Sequence, residues 1–313
     1  MRLRALLQKQ LHRIGHGLGL GVLREQVSEA KLLAARVLIN QMKGGGVISS
    51  VQEAEFKVFS QFGDDGIVQY LIHHVGVTRE QRVFIEFGVE NYEEANTRFL
   101  LMNDNWRGLV MDGNVVNMAF VRASGYYWKH DLTAAAAFID RENVNDLFQR
   151  HKFTGEIGLL SIDIDGNDYW VWERIDVVNP AIVVVEYNSV FGPLHAITIP
   201  YSPTFRRSQA HYSNLYWGCS LKALCLLAER KGYVFVGCNS AGNNAYFIRK
   251  ERIGPLKGLS AEEGYVSSRF RESRSQSGAL TFATGPDRLR VIQEMEVFDI
   301  ERNQLTKIAS YLA

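Results

Sequence analysis

The chain has 313 residues, with 35 basic and 34 acidic side chains and 46% apolar residues. That allows a sizeable core, and the near balance of charge excludes bulk attraction to nucleic acid. No run of about 18 apolar residues occurs, so no spanning helix is expected. The three cysteines (Cys219, Cys225 and Cys238) form no C-x-x-C pair, which indicates a reducing, cytoplasmic setting.

Residues 1–24 carry Arg2, Arg4, Lys9, Arg13 and Arg24 without an acid, and Leu3, Leu6, Leu7, Leu11 and Ile14 recur at helical spacing. Two readings follow. One is a basic amphipathic helix lying peripherally on the inner, anionic face of a membrane. The other is a helix packed on the body or on a second subunit of a homo-oligomer. An acid-free, Arg-rich start also suits a mitochondrial transit peptide, whereas His12, Arg13 and His16 break the apolar stretch a secretory signal needs. Helix is expected through residue 42, ending at Lys43-Gly44-Gly45-Gly46. The expected division is a helical extension (1–46), an α/β domain (47–250) and a more polar C-terminal appendage (251–313).

From about Phe59 to Arg249, strand-like runs alternate with helix-like segments, the pattern of a parallel α/β sheet. Strands are expected at Val83–Phe87, Gly108–Met111, Gly158–Ile164, Ala181–Tyr187, Tyr233–Gly237 and Ala245–Ile248, with one more near Glu296–Ile300. Helices are expected at Asp64–His74, Glu93–Met102, Asn143–Gln149, Trp170–Arg174 and Ser220–Lys231. The turn-rich Cys238–Asn243 makes the last two main strands an antiparallel hairpin. The fold class is therefore a doubly wound, mostly parallel seven-stranded α/β sheet ending in an antiparallel hairpin, Rossmann-like.

Several strands end in polar clusters. Phe84-Ile85-Glu86-Phe87-Gly88 turns at a glycine, where backbone approaches a ligand closely. It has one glycine and no G-x-G-x-x-G, which disfavours NAD or FAD. Asp112-Gly113-Asn114 ends the second strand, where an acid accepts ribose hydroxyls. Asp131 follows a short Tyr126–Trp128 strand and reaches toward an adenine amino group, or else caps a helix over Ala134–Ile139. Asp163 and Asp165 share a face if their strand continues through them, and Asp168 caps the helix that follows. Glu186 and Asn188 end the neighbouring strand beside Asp163. Such a set of oxygens suits Mg or Mn held by Asp163, Asp165 and Glu186, or a general base acting on a hydroxyl. His195 in the next loop is a candidate base or ligand, or else a surface residue. Arg269, Arg271 and Arg274 form a basic cluster able to hold a phosphate or carboxylate, or a solvated loop.

These motifs resemble, in order and spacing, those of the FkbM-type S-adenosylmethionine (SAM)-dependent methyltransferases. Ser60–Ile67 is similar to the family's lead-in, and Phe84–Gly88 with Asn96-Thr97 and Asn105–Asp112 to its first βαβ unit. Leu160–Gly166 is similar to its fourth-strand motif, and the likeness covers roughly residues 58–190. The same segment resembles the Asp-Gly-Asp-x-Tyr stretch of metal-dependent sugar O-methyltransferases. The resemblance implies a SAM-dependent O-methyltransferase acting on a hydroxyl of a carbohydrate or glycoconjugate. It places Glu86, Gly88, Asn96, Thr97 and Asp112 at the SAM pocket. The sequence departs from the family at Ser161 and Asp165, and in the acidic turn after Gly88. Two alternatives stand beside it: a metal-dependent glycosyltransferase using Asp163-x-Asp165, and an inactive methyltransferase-fold scaffold.

Overall fold

The computed structural model describes residues 20–312. The basic segment 1–19, and with it most of the expected membrane or subunit contact, lies outside the described residues. The chain divides into two compact units, one ending at Gly46 and one beginning at Val47. The described part of the first is a single helix, α1 (Leu20–Gly44). No described helix is long and apolar enough to cross a membrane.

The second unit is built on a sheet of seven strands. They are β1 (Val83–Phe87), β2 (Arg107–Asp112), β3 (Leu132–Ala136), β4 (Gly155–Ile162), β5 (Val178–Glu186), β7 (Tyr233–Cys238) and β8 (Asn244–Arg249), in the order β3-β2-β1-β4-β5-β8-β7. The first five pair in parallel, whereas β8 runs antiparallel to both β5 and β7. This is the doubly wound, hairpin-terminated sheet that the sequence pattern predicts. Strands β4 and β5 are almost wholly buried, as continuous aliphatic runs must be when helices cover both faces of a parallel sheet. A second sheet joins β6 (Ile197–Thr198) to β9 (Glu296–Asp299) and β10 (Gln304–Lys307). The C-terminal segment thus shares a small core with residues 191–216, centred on Ile197, Ile199, Leu215, Ile292 and Val297.

The chain leaves β1 for β2 on one side, and β4 flanks β1 on the other. A crevice opens at the carboxyl ends of strands where the winding reverses in this way. Helix α2 (Asp64–Val75) braces the crevice from behind. The Asp65 carboxylate accepts the amides of Val58, Phe59 and Ser60 at 2.7–2.9 Å. Asp64 accepts from Asn239, Asn244 and Tyr246 on the terminal hairpin.

Three local expectations are corrected. Residues 93–97 are not helical: the amides of Asn96 and Thr97 are drawn to Glu86, and α3 begins only at Arg98 (Arg98–Met102). Tyr126–Trp128 is a turn and Leu132–Ala136 is strand, so the helix expected over Ala134–Ile139 is absent. Strand β4 stops at Ile162, so the alternation that was to carry Asp163 and Asp165 onto one face ends before either. Asp165 has φ of +54°, a left-handed backbone that breaks the extended run.

Candidate functional site

The carboxyl edge of the parallel strands opens into a cleft of about 1050 Å³. The loops after β1, β2, β3, β4 and β5 line it, as do residues 205–207 and parts of the C-terminal segment. Loop 205–207 is held down at Gly166, where a side chain would meet the Phe205 ring at 2.4 Å.

One half is built on β1 and β2. Gly88 has φ of +80°, and a Cβ there would lie 1.4 Å from the Asp163 carbonyl oxygen. Only glycine lets this turn press against the loop after β4. The buried Glu86 carboxylate accepts from Asn96 N (2.8 Å), Thr97 N (3.0 Å) and Thr97 Oγ1 (2.5 Å), which folds residues 88–97 into the cleft wall. Burial pushes Glu86 up to about 7 against those hydrogen bonds. Asn96 lines the cleft and donates to Ser161 Oγ, while Thr97 is buried behind it. Asp112 accepts Glu90 N (2.9 Å), Asn114 N (2.7 Å) and, weakly, Asn117 Nδ2 (3.3 Å). Gly113 and Asn114 line the cleft beside it, and Asn114 also caps α4 (Val115–Ala123) through Val116 N. Ala137, Phe138 and Ile139 add an apolar wall.

The other half is an acid cluster with its own cation. Asp163 and Glu186 lie close enough to share a hydrogen bond. Burial, then the charges of Asp165 and Asp168, push Asp163 well above the carboxylate range; burial and Asp163 do the same to Glu186. Glu186 Oε2 is buried with no donor aimed at it, an arrangement satisfied when the two carboxyls hold a proton between them. Asp168 does not cap the end of its helix α6 (Asp168–Arg174) in the expected way. Its carboxylate turns back to Ile164 N (2.8 Å) and Gly166 N (2.9 Å), and burial raises it to about 6.

Asp165 makes a 2.5 Å hydrogen-bonded ion pair with Arg207 Nη1. Arg207 also donates Nε to the Asn214 carbonyl, lies 3.8 Å from Glu272 and sits over the Trp217 ring. Burial works against the Arg207 charge, but Asp165, Glu186 and Glu272 outweigh it and raise its pKa. The expected metal triad of Asp163, Asp165 and Glu186 meets at this edge, with Arg207 already paired to one of its members. Burial and neighbouring acids raise Asp163 and Glu186, and Asp165 is taken by a guanidinium. Among the described residues, no group of three His, Cys, Asp or Glu is arranged to hold a metal ion.

Three other expected site residues serve elsewhere. Asp131 precedes β3, at the opposite edge of the sheet from the cleft, where it is exposed and pairs with Arg107. His195 lies against the Tyr311 ring and does not line the cleft. Asn188 borders the cleft, yet its amide is spent on structure: Nδ2 donates to the Leu215 and Trp217 carbonyls, and Oδ1 caps Val190 N. In the basic cluster, Arg274 pairs with Glu272. The residues missed by sequence reasoning are Arg206, Arg207, Phe138, Trp217 and Arg288. A signal existed for two of them: Arg206 and Arg207 are the only Lys, Arg, Asp or Glu residues between 197 and 218.

No protein-family model and no curated protein sequence matches the chain. Among solved structures, it is similar to the N-terminal domain of EvdMO1 with S-adenosylhomocysteine (SAH) bound, at 10% identity and a TM-score of 0.39, over 72% of this chain and 94% of that one. The O-methyltransferase from Bacillus cereus in complex with SAH gives 11% identity and 0.38, over 70% and 89%. TrmK of M. capricolum with SAH gives 9% and 0.32, over 57% and 65%. The fold of this chain rests on its own strand order, and those ligands belong to those proteins.

Proposed function

We propose that this chain is a SAM-dependent O-methyltransferase whose acceptor is a hydroxyl of a carbohydrate or glycoconjugate. The observation that carries the reading is Asp112, set beside the Gly88 turn at the reversal of the sheet, in the same cleft as the Asp163–Glu186 pair. An acid at the end of the second strand is where a nucleoside ribose is held in such sheets. One lone-pair direction of Asp112 Oδ2 is unengaged, and the 3.3 Å contact from Asn117 is the weakest it makes. Ala137, Phe138 and Ile139 suit the base. The acids Glu86, Glu90, Glu94 and Asp112 along this wall favour a cationic ligand.

SAM, when bound, supplies an electrophilic methyl on a sulfonium. The residues of the chain would do the rest. The cleft would hold the acceptor hydroxyl near Asp163 and Glu186, so that proximity supplies much of the rate. The carboxyl pair, holding one proton, would take the hydroxyl proton as the oxygen attacks the methyl. Arg207 would keep the pair from accumulating uncompensated charge while Asp165 fixes its position. No step needs a metal, and the donor set does not fit one.

The test is calorimetric titration of SAH into the full chain and into Asp112→Ala. Binding by the wild type, weakened by about tenfold or more in the variant as befits a lost charged hydrogen bond, is expected. Absence of SAH binding to the wild type refutes the reading.

A further inference from the structure

Among the described residues three arginines line the cleft, and of these only Arg207 is paired with acids. Arg288, in the short helix α10 (Pro286–Val291), pairs with no carboxylate among the described residues. Its Nη1 donates to Ser268 Oγ at 2.8 Å. Ser268 is itself anchored: its amide donates to Ser189 Oγ and its hydroxyl to the Phe270 carbonyl. Ser189 lies three residues past Glu186, so the guanidinium is tied to the wall that carries the acid cluster. The Nε of Arg288 is buried without an acceptor, and its Nη2 makes no hydrogen bond. Arg206 is likewise without an acid and stacks on Phe138.

An uncompensated guanidinium that is partly desolvated is costly to maintain. Burial lowers the Arg288 pKa, and the nearby Arg207 charge adds to that effect. Other arginines are met, Arg207 by Asp165 and Arg249 by Glu156, and Arg98 by the Tyr92 and Glu93 carbonyls and two aromatic rings. The unpaired edge of Arg288, Nε beside Nη2, carries two parallel donors, the geometry that matches a carboxylate or phosphate.

We propose that Arg288 reads an oxyanion carried by the acceptor, so that the substrate class is an acidic sugar or sugar phosphate rather than a neutral one. This deepens the methyl-transfer reading and rests on it for the identity of the reaction, but the anion subsite is testable by binding alone. The subsite is tied to the Ser189 segment after β5, whereas the acids assigned to SAM stand on β1, β2 and the loop after β1. One cleft would thus select a cation on one side and an anion on the other.

The test is titration of inorganic phosphate, glucose 6-phosphate, glucuronate and glucose into the full chain. It is run with SAH present, on the wild type, Arg288→Lys and Arg288→Gln, with thermal unfolding checked for each. The wild type is expected to bind at least one of the anions about tenfold or more tighter than glucose. The phosphate and carboxylate arms then tell which oxyanion it prefers. Arg288→Gln is expected to lose the preference and Arg288→Lys to keep only part of it, because a point charge replaces the fork. The SAH affinity of both variants should stay within about twofold of wild type, since the two ligands meet different walls. Equal binding of glucose and the anions, no anion binding at all, or a full preference retained in Arg288→Gln would each overturn the proposal. Anion binding lost in Arg288→Gln by a chain that ignores SAH would leave the subsite standing and remove methyl transfer instead.

Discussion

Glu86 offers the sharpest test of the physical account of the cleft. It is buried at the end of β1, and burial raises its pKa from 4.5 to about 7 despite hydrogen bonds from Thr97 and Asn96. The folded chain therefore holds a proton over a range of pH in which the unfolded chain has lost it. By linkage, the contribution to stability is full below 4.5 and is lost as pH rises toward about 7. That interval corresponds to about 3 kcal/mol, at about 1.4 kcal/mol per tenfold. Asp168, raised to about 6, and the Asp163–Glu186 pair act with the same sign, so the wild-type slope is steeper than Glu86 alone would give. Glu86→Gln removes one titrating group. It also leaves one amide of the 96–97 turn without its acceptor, a pH-independent cost of about 1–2 kcal/mol. Urea unfolding of both proteins between about pH 5 and about pH 8 separates the two effects. The stability advantage of wild type over Glu86→Gln should shrink by about 3 kcal/mol across that range. Parallel curves would show that Glu86 titrates normally and would refute the argument from burial.

Two further outcomes follow from the geometry. Gly88→Ala places a methyl 1.4 Å from the Asp163 carbonyl oxygen at φ of +80°, so the turn or β4's loop must move. A loss of about 3 kcal/mol or more is expected in thermal or urea unfolding, and a loss under about 1 kcal/mol would mean the loops are not packed as described. Arg207→Met removes the cation facing Asp165, Glu186 and Glu272. The Asp163–Glu186 pair should then titrate at higher pH, read from carboxyl carbon resonances, with about 1–2 kcal/mol of stability lost after discounting for the partly exposed partners. An unchanged titration would show that Arg207 is not the counter-charge of the pair.

The sheet was legible because its information is local. Val83–Phe87 begins and ends as expected, and Val183-Val184-Val185 reads as a buried strand from composition alone. The helical stretch at 93–97 was misread because nothing local reveals that Glu86, ten residues earlier, takes the amides a helix would need. The surroundings of the expected metal triad are hidden from the sequence for a related reason. Asp163, Asp165 and Glu186 do meet at one edge, but their chemistry is set by Arg207, which arrives from a loop with no periodic pattern. Asn188 shows the converse: an amide at a strand end reads as a site residue, while its two carbonyl acceptors lie near residue 216 and cannot be seen in the sequence. Arg288 was invisible for the same reason, being anchored through Ser268 to Ser189.

The acids of the cleft differ in how their charge is met, and under the proposed function that difference separates their roles. Asp112 is answered by backbone amides and keeps lone-pair capacity, so it suits holding hydroxyls. Asp165 is answered by a guanidinium and is thereby fixed as a positioning group. Asp163 and Glu186 are answered only by each other, within reach of the Arg207 charge. A pair of carboxyls in that state keeps a proton to higher pH than either acid would when fully solvated. A bound divalent ion would need both fully deprotonated and would have to displace Arg207 from Asp165. In the proposed reading, Arg207 and the Asp163–Glu186 pair would together serve the transfer of a proton from the acceptor hydroxyl.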